Sequence, residues 1–145
     1  MATDGRRRFD LSVVTPEGAA WEGEAEMVIV PGADGEIGVL ARHAPLVALL
    51  KAGGVRIYLS REPMEDVVEF ATGPGFFKVE NDRAIALVDH AVKADDIDEE
   101  DAQRQLEEAR AELELVDRGE SIADRWQLEQ RILHAENMLT VAGRM

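Results

Sequence analysis

I-V-P-G-A-D-G-E-I-G-V-L-A-R-H-A-P-L, running from Ile29 to Leu46, sets the reading of the whole chain. Four turn formers, Pro31, Gly32, Gly35 and Gly38, break an apolar run that has just left one strand and is about to enter another. Ile37, Val39, Leu40 and Leu46 supply a frame, and Asp34, Glu36, Arg42 and His43 a polar tip. The pattern predicts a shaped loop built to be touched by a partner, set between strands.

On its amino-terminal side, Phe9, Leu11 and Val13 alternate with Asp10 and Ser12, the period of a half-buried strand, and Thr15-Pro16-Glu17-Gly18 turns it. Glu24 to Val30 passes from alternation into a continuous apolar run, predicting one strand that enters an interior covered on both faces. On the carboxy-terminal side, Leu46 to Leu50, Val55 to Leu59, Val67 to Phe70 and Phe76 to Val79 are short strands. They are separated by Gly53-Gly54, by a hairpin-like break at Arg61-Glu62-Pro63-Met64 and by Gly73-Pro74-Gly75, and Ala84 to Val88 is the last of them. Strands and turns at this spacing predict an antiparallel β-sandwich or flattened barrel.

The character changes at Ala94. Asp98 is placed to cap a helix whose first turn is acidic, where the helix dipole favours negative charge. Ala102, Leu106, Ala109, Leu113 and Val116 then form one apolar stripe. Asp117-Arg118-Gly119-Glu120 ends that helix, and Ser121 with Asp124 reads as a capping-box-like restart. Leu128, Ile132, Ala135, Leu139 and Ala142 repeat the spacing, with Trp126 and Leu133 widening the face. The reading is therefore α+β: a sandwich in residues 1–93, then an antiparallel two-helix hairpin in 94–145. Both stripes are narrow and rich in alanine, so hairpin closure is expected to be weak and a second, open state accessible.

Composition excludes several functions. The formal charge is −14, and it is uneven: residues 1–93 carry 15 acids and 10 bases, residues 94–145 carry 15 and 6. Such a surface repels phosphate backbones and anionic headgroups, so neither nucleic acid nor direct lipid binding is expected, and Arg6-Arg7-Arg8 is too short to reverse that. With no cysteine there is no disulfide, thiolate zinc site or cysteine nucleophile. No apolar stretch approaches the roughly 20 residues that a membrane helix needs, and the chain is read as soluble and cytoplasmic. His43, His90 and His134 lack paired-ligand spacing, Asp96, Asp98 and Glu100 lack the rest of a calcium loop, and the glycines after Pro31 lack the ending of a phosphate loop. No catalytic residue, metal or cofactor is predicted, and the chain is not expected to be an enzyme.

Several motifs in register resemble one family. V-V-T-P-E-G at Val13–Gly18, E-G-E-A-E-M-V-I-V-P-G at Glu22–Gly32, G-E-I-G-V-L at Gly35–Leu40, R-H-A-P-L at Arg42–Leu46, A-T-G-P-G-F at Ala71–Phe76, D-D-I-D at Asp95–Asp98 and N-M-L-T-V-A at Asn137–Ala142 are similar to the ε subunit of bacterial F-type ATP synthases. The resemblance spans about residues 8–142. It implies a noncatalytic rotor subunit, peripheral on the cytoplasmic face of the plasma membrane, that couples ring rotation to the catalytic hexamer. It also implies partners: the γ subunit, the polar loops of the membrane c-ring and, through the terminal helices, the catalytic β subunits. Gly35, Glu36, Gly38, Arg42, His43 and Pro45 fall where the family touches the ring and γ.

The hairpin departs from the family pattern. Some members bind ATP through I/L-D-x-x-R-A on the first helix and two arginines on the second; this chain has Asp101 at the first arginine, and His134 and Met138 at the other two. Those replacements remove attraction for a polyphosphate and add repulsion, so no useful ATP binding is expected. The resemblance implies that basic residues on the second helix restrain ATP hydrolysis; here only Arg125, Arg131 and Arg144 remain, beside Asp124, Glu129 and Glu136. The alternative reading is a regulatory hairpin that recognises a helix of an unrelated partner.

Overall fold

Phe9, Leu11 and Val13 of strand β1 (Phe9–Thr15) are sealed from solvent while their neighbours are not, as the alternation requires. The same logic carries through a computed structural model that describes residues 8–62 and 66–143. Pro63 and Met64 of the expected hairpin break, residues 1–7 and Arg144 lie outside them. The chain divides into two compact units, Met1–Lys93 and Ala94–Met145.

The first unit continues with β2 (Gly18–Ala25), β3 (Met27–Gly32), β4 (Gly35–Leu40), β5 (Leu46–Leu50), β6 (Gly53–Tyr58), β7 (Val67–Thr72), β8 (Gly75–Glu80), β9 (Arg83–Val88) and a short β10 (Ala91–Lys93). They form one sheet in the order β10-β7-β6-β3-β5-β8-β9-β1-β2, with β4 on β3. β3 turns the corner: Met27 to Ile29 pair with β6, whereas Gly32 pairs with Leu50 of β5. The sheet thereby folds over a single core to which β1 through β9 all contribute, with Phe77, Leu11 and Ile57 the largest fully sealed side chains. This is the expected sandwich. Every pairing is antiparallel except β1 with β9, which is parallel, an arrangement open to strands far apart in sequence.

Three readings are corrected here. Glu24 to Val30 is two strands, not one, because the chain bends at Glu26 to pass from β2 to β3. Glu26 is buried there, its Oε1 accepting the Arg61 backbone N–H at 2.9 Å and its Oε2 lying 3.7 Å from Arg8 Nε. A buried carboxylate that takes a backbone donor stabilises such a bend. Second, Val88 does not end the sheet, since β10 adds to the β7 edge. Third, Ile29 to Leu46 is not one loop; most of it is the β3–β4 hairpin, in which Gly38 sits mid-strand opposite Ile29.

In the second unit, a 3-10 turn (Ala94–Asp96) leads to α1 (Glu99–Asp117) and α2 (Arg125–Ala142). Asp98 is the α1 N-cap, accepting from the Asp101 N–H at 3.1 Å. The helices are antiparallel, because Arg110 of α1 pairs with Glu136 while Asp117, about two turns further on, pairs with Arg125. Ala102, Leu106 and Ala109 are buried as the α1 stripe requires, and Leu113 and Val116 only partly so. Two details of α2 differ from expectation. Its N-cap is Asp124, which accepts from the N–H groups of Trp126 and Gln127; Ser121 instead bonds Glu112 and accepts from the Ala123 N–H. The buried stripe is Leu128, Ala135, Met138 and Val141, a rotation that leaves Leu139 and Ala142 partly covered and Trp126 and Leu133 exposed. Met138 and Leu139 are both apolar, so spacing alone did not fix which one faces inward.

Candidate functional site

β3 and β4 pair along their whole length, from Met27 with Leu40 to Gly32 with Gly35, so only Ala33 and Asp34 form the turn. Gly35 closes it at φ +140°, a conformation that disfavours a side chain. From there Glu36, Gly38 and Leu40 share the exposed face of β4, while Val39 is in the core. Glu36 is not a bare loop acid. Arg56 reaches from β6 across β3, and its Nη2 donates to Glu36 Oε2 at 2.8 Å. Burial pulls the Arg56 guanidinium down, but the Glu36 hydrogen bond, together with the charges of Glu36, Tyr58 and Glu69, outweighs it and holds the group above its ordinary range. A raised cation contributes its stability at every pH below its unfolded value, so this pair is not lost from the arginine side at any working pH. Gly35, Glu36 and Ile37 line a shallow groove together with Val47, Ala48 and Leu49 of β5.

Arg42, His43 and Pro45 lie at the other end of β4, in the connection to β5. Gly35, Glu36 and Gly38 lie within β4 and the other three beyond its end; at about 3.3 Å per residue Glu36 and His43 stand well apart, so the structure does not bring the six predicted contact residues into one tip. Arg42 adopts φ +65°, held by its backbone N–H donating to Asp82 Oδ1 at 2.6 Å. Asp82 belongs to the two-residue Asn81-Asp82 turn between β8 and β9, with φ of +54° and +58°, and its carbonyl also accepts the Asp10 N–H at 3.0 Å. One turn thus fixes both the start of β1 and the Arg42 loop. His43 Nδ1 lies 2.7 Å from the Ala44 carbonyl oxygen, which it meets as the Nδ1–H tautomer.

A further feature was missed in the sequence. Leu49 is registered against Phe76 and Phe76 against Leu87, one apolar row across β5, β8 and β9 on the outer face of the sheet. With Val47 these side chains are 47–69% exposed. The continuous apolar runs at Leu46–Leu50 and Phe76-Phe77 were its signal, but a run apolar on both faces does not say which face the fold leaves open.

On the hairpin, both Asp101 carboxylate oxygens are engaged within α1, Oδ1 by Arg104 and Oδ2 by Gln105 at 2.6 Å. Met138 is in the buried stripe and His134 is partly buried. Arg125 pairs with Asp117 and, at 3.1 Å, with Glu129, whereas Arg131 is exposed. Among the described residues no three acids, histidines or cysteines group as metal ligands, and no helix is long and apolar enough to cross a membrane.

Comparison with known proteins supplies the kinship. The family model described as "ATP synthase, Delta/Epsilon chain, beta-sandwich domain" matches residues 8–94. The ATP synthase epsilon chain of Rubrobacter xylanophilus is 36% identical over 147 aligned positions, covering 99% of this chain and 97% of the relative. That of Halalkalibacterium halodurans is 40% identical, covering 92% and 96%. Among solved structures, a chain of the Euglena gracilis mitochondrial ATP synthase superposes with a TM-score of 0.75 at 22% identity, covering 95% of this chain and 82% of that one, which is a likeness of fold. Matched from end to end by relatives of one kind, and carrying their sandwich, this chain belongs to the ATP synthase epsilon chain family.

Proposed function

We propose that the chain is the noncatalytic ε-type subunit of the central stalk of a proton-translocating F-type ATP synthase, peripheral on the cytoplasmic face of the bacterial plasma membrane. The observation that carries this beyond kinship is the row Leu49, Phe76 and Leu87 with Val47. A contiguous apolar patch on the outside of a sheet is costly in water and is kept where a partner covers it. In this reading γ lies on that row and extends along β5 to Arg42, His43 and Pro45 at its other end. The polar loops of the ring meet the hairpin tip at Gly35, Glu36 and Gly38. Such a double attachment lets torque from the ring reach γ, and hence the catalytic hexamer, without slip. The helical unit restrains ATP hydrolysis when it opens, Arg125, Arg131 and Arg144 then meeting acidic segments of the catalytic β subunits. With Asp101, His134 and Met138 where arginines would hold a polyphosphate, ATP is not its trigger.

Two experiments test this. Phe76→Glu changes an exposed side chain, so the melting temperature should hold while co-purification with γ is lost; retained co-purification removes the row from the interface. Complex depleted of this subunit is then rebuilt with the full chain or with one ending at Lys93. Both should restore proton pumping, and the shorter should hydrolyse ATP faster. Equal hydrolysis removes the hairpin's braking role, and failure of both forms to bind removes the rotor reading. Isothermal titration should detect no saturable ATP binding below millimolar concentration.

A further inference from the structure

Glu36 was singled out because of where it stands in the chain; its surroundings say more. Arg56 stands in the same cross-strand row as Ile29 and Gly38, and its side chain spans β3 to bond Glu36 Oε2 at 2.8 Å. Arg56 is mostly covered, Glu36 mostly exposed, and Glu69 is registered opposite Arg56 on β7. The guanidinium is therefore the fixed member of the pair and the carboxylate the presented one. Arg56 Nε is buried without a hydrogen bond, and the bond to Glu36 is made through Nη2. Beside the pair, a Cβ built on Gly38 meets nothing within 4 Å, so the strand backbone there lies open to an approaching chain.

We propose that Arg56 is a positioning residue for the ring contact. Resting on the reading of Glu36 and Gly38 as the ring-facing site, it holds Glu36 Oε2 and thereby presents Oε1 to one neutral N–H or O–H donor of a polar loop that enters over Gly38. Arg56 already meets the Glu36 charge through Nη2, so the loop needs no cation of its own at this point. The contact is a hydrogen bond of fixed direction, not a new ion pair. A directed carboxylate loses less freedom on binding than a free glutamate, and that difference appears as affinity.

The test uses the full chain and a detergent-solubilised rotor of γ and ring prepared without it. Glu36→Ala should weaken binding about tenfold, the loss of a hydrogen bond to a charged acceptor. Gly38→Leu fills the open space, so it should leave the melting temperature of the free chain unchanged and weaken binding at least as much. Arg56→Met keeps the covered stem and should weaken binding about fivefold, Arg56→Lys should recover most of that, and Arg56→Met added to Glu36→Ala should cost nothing more. If neither Glu36→Ala nor Gly38→Leu affects binding, the ring-facing reading fails. If they do while Arg56→Met binds like the native chain, or adds its full effect on top of Glu36→Ala, the positioning role fails. Native binding that collapses with salt more steeply than that of Arg56→Met overturns the neutral-donor assignment.

Discussion

In the sandwich, the residues sealed from solvent include Phe77, Leu11, Ile57 and valines from five strands; in the hairpin, the fully sealed ones among the described residues are Ala102, Ala109, Ala135 and Val141. The ion pairs differ in the same sense. Arg56–Glu36 lies on the outside of a sheet already folded over its core, whereas Arg110–Glu136 and Arg125–Asp117 run from one helix to the other. Large side chains bury enough area to hold a structure regardless of salt, while alanines and exposed ion pairs leave it sensitive to its surroundings. In the function proposed above, the first arrangement suits a part that transmits force, the second a part that lets go. Each unit has its own reporter, Trp21 in β2 and Trp126 in α2.

The comparison breaks first if the sandwich core is not what holds that unit. Phe77→Ala should destabilise it by about 4 kcal/mol, read by urea unfolding on Trp21 fluorescence in a Trp126→Phe background. A loss below that of any hairpin substitution would invert the contrast.

Two glycines sharpen it. A Cβ at Gly75 would stand 1.8 Å from the Leu87 carbonyl oxygen, in the register between β8 and β9. Gly75→Ala should therefore cost about 2–3 kcal/mol by forcing the strands apart. Gly119, after α1, has φ +74° but nothing within 4 Å, so Gly119→Ala should cost only about 1 kcal/mol, from the backbone conformation alone. The same unfolding assay, followed on each tryptophan, checks both. Leu106→Ala falls between them, at about 2 kcal/mol, the low end for a buried leucine because the alanines around it leave a site able to collapse. Helical circular dichroism at rising urea should show it.

How much of this was legible in the chain depended on whether the signal was local. Alternation in Phe9–Val13, the acidic helix start at Asp98 and the α1 stripe are properties of adjacent residues, and they stand. Glu26 looked like one more acid entering a strand, because the Arg61 backbone that its carboxylate satisfies is 35 residues away. Asp82 looked like half of an ordinary turn, though it also holds Arg42 from 40 residues' distance. Glu36 and His43 were legible as candidates through the family pattern, but not the strand that keeps them apart. The outer apolar row was hidden for a similar reason: Leu49, Phe76 and Leu87 become one surface only when β5, β8 and β9 are in register.

The smallest expected effect probes the hairpin most directly. Arg110 Nη2 and Glu136 Oε2 are 2.7 Å apart on facing helices, with both side chains about half exposed. A double-mutant cycle on Arg110→Ala and Glu136→Ala should give a coupling of about 0.5 kcal/mol in low salt. It should shrink toward zero in 1 M salt, where the screening length falls to about 3 Å. A parallel series on the sandwich, taking Phe77→Ala through the same salts, should keep its cost, because buried apolar area carries no charge to screen. If the Arg110–Glu136 coupling persists at high salt, the pair is shielded from solvent more than its half exposure indicates, and salt does not loosen the hairpin through it. If the coupling disappears, the pair is an ordinary exposed ion pair, and salt removes its share of about 0.5 kcal/mol from the contact between the two helices.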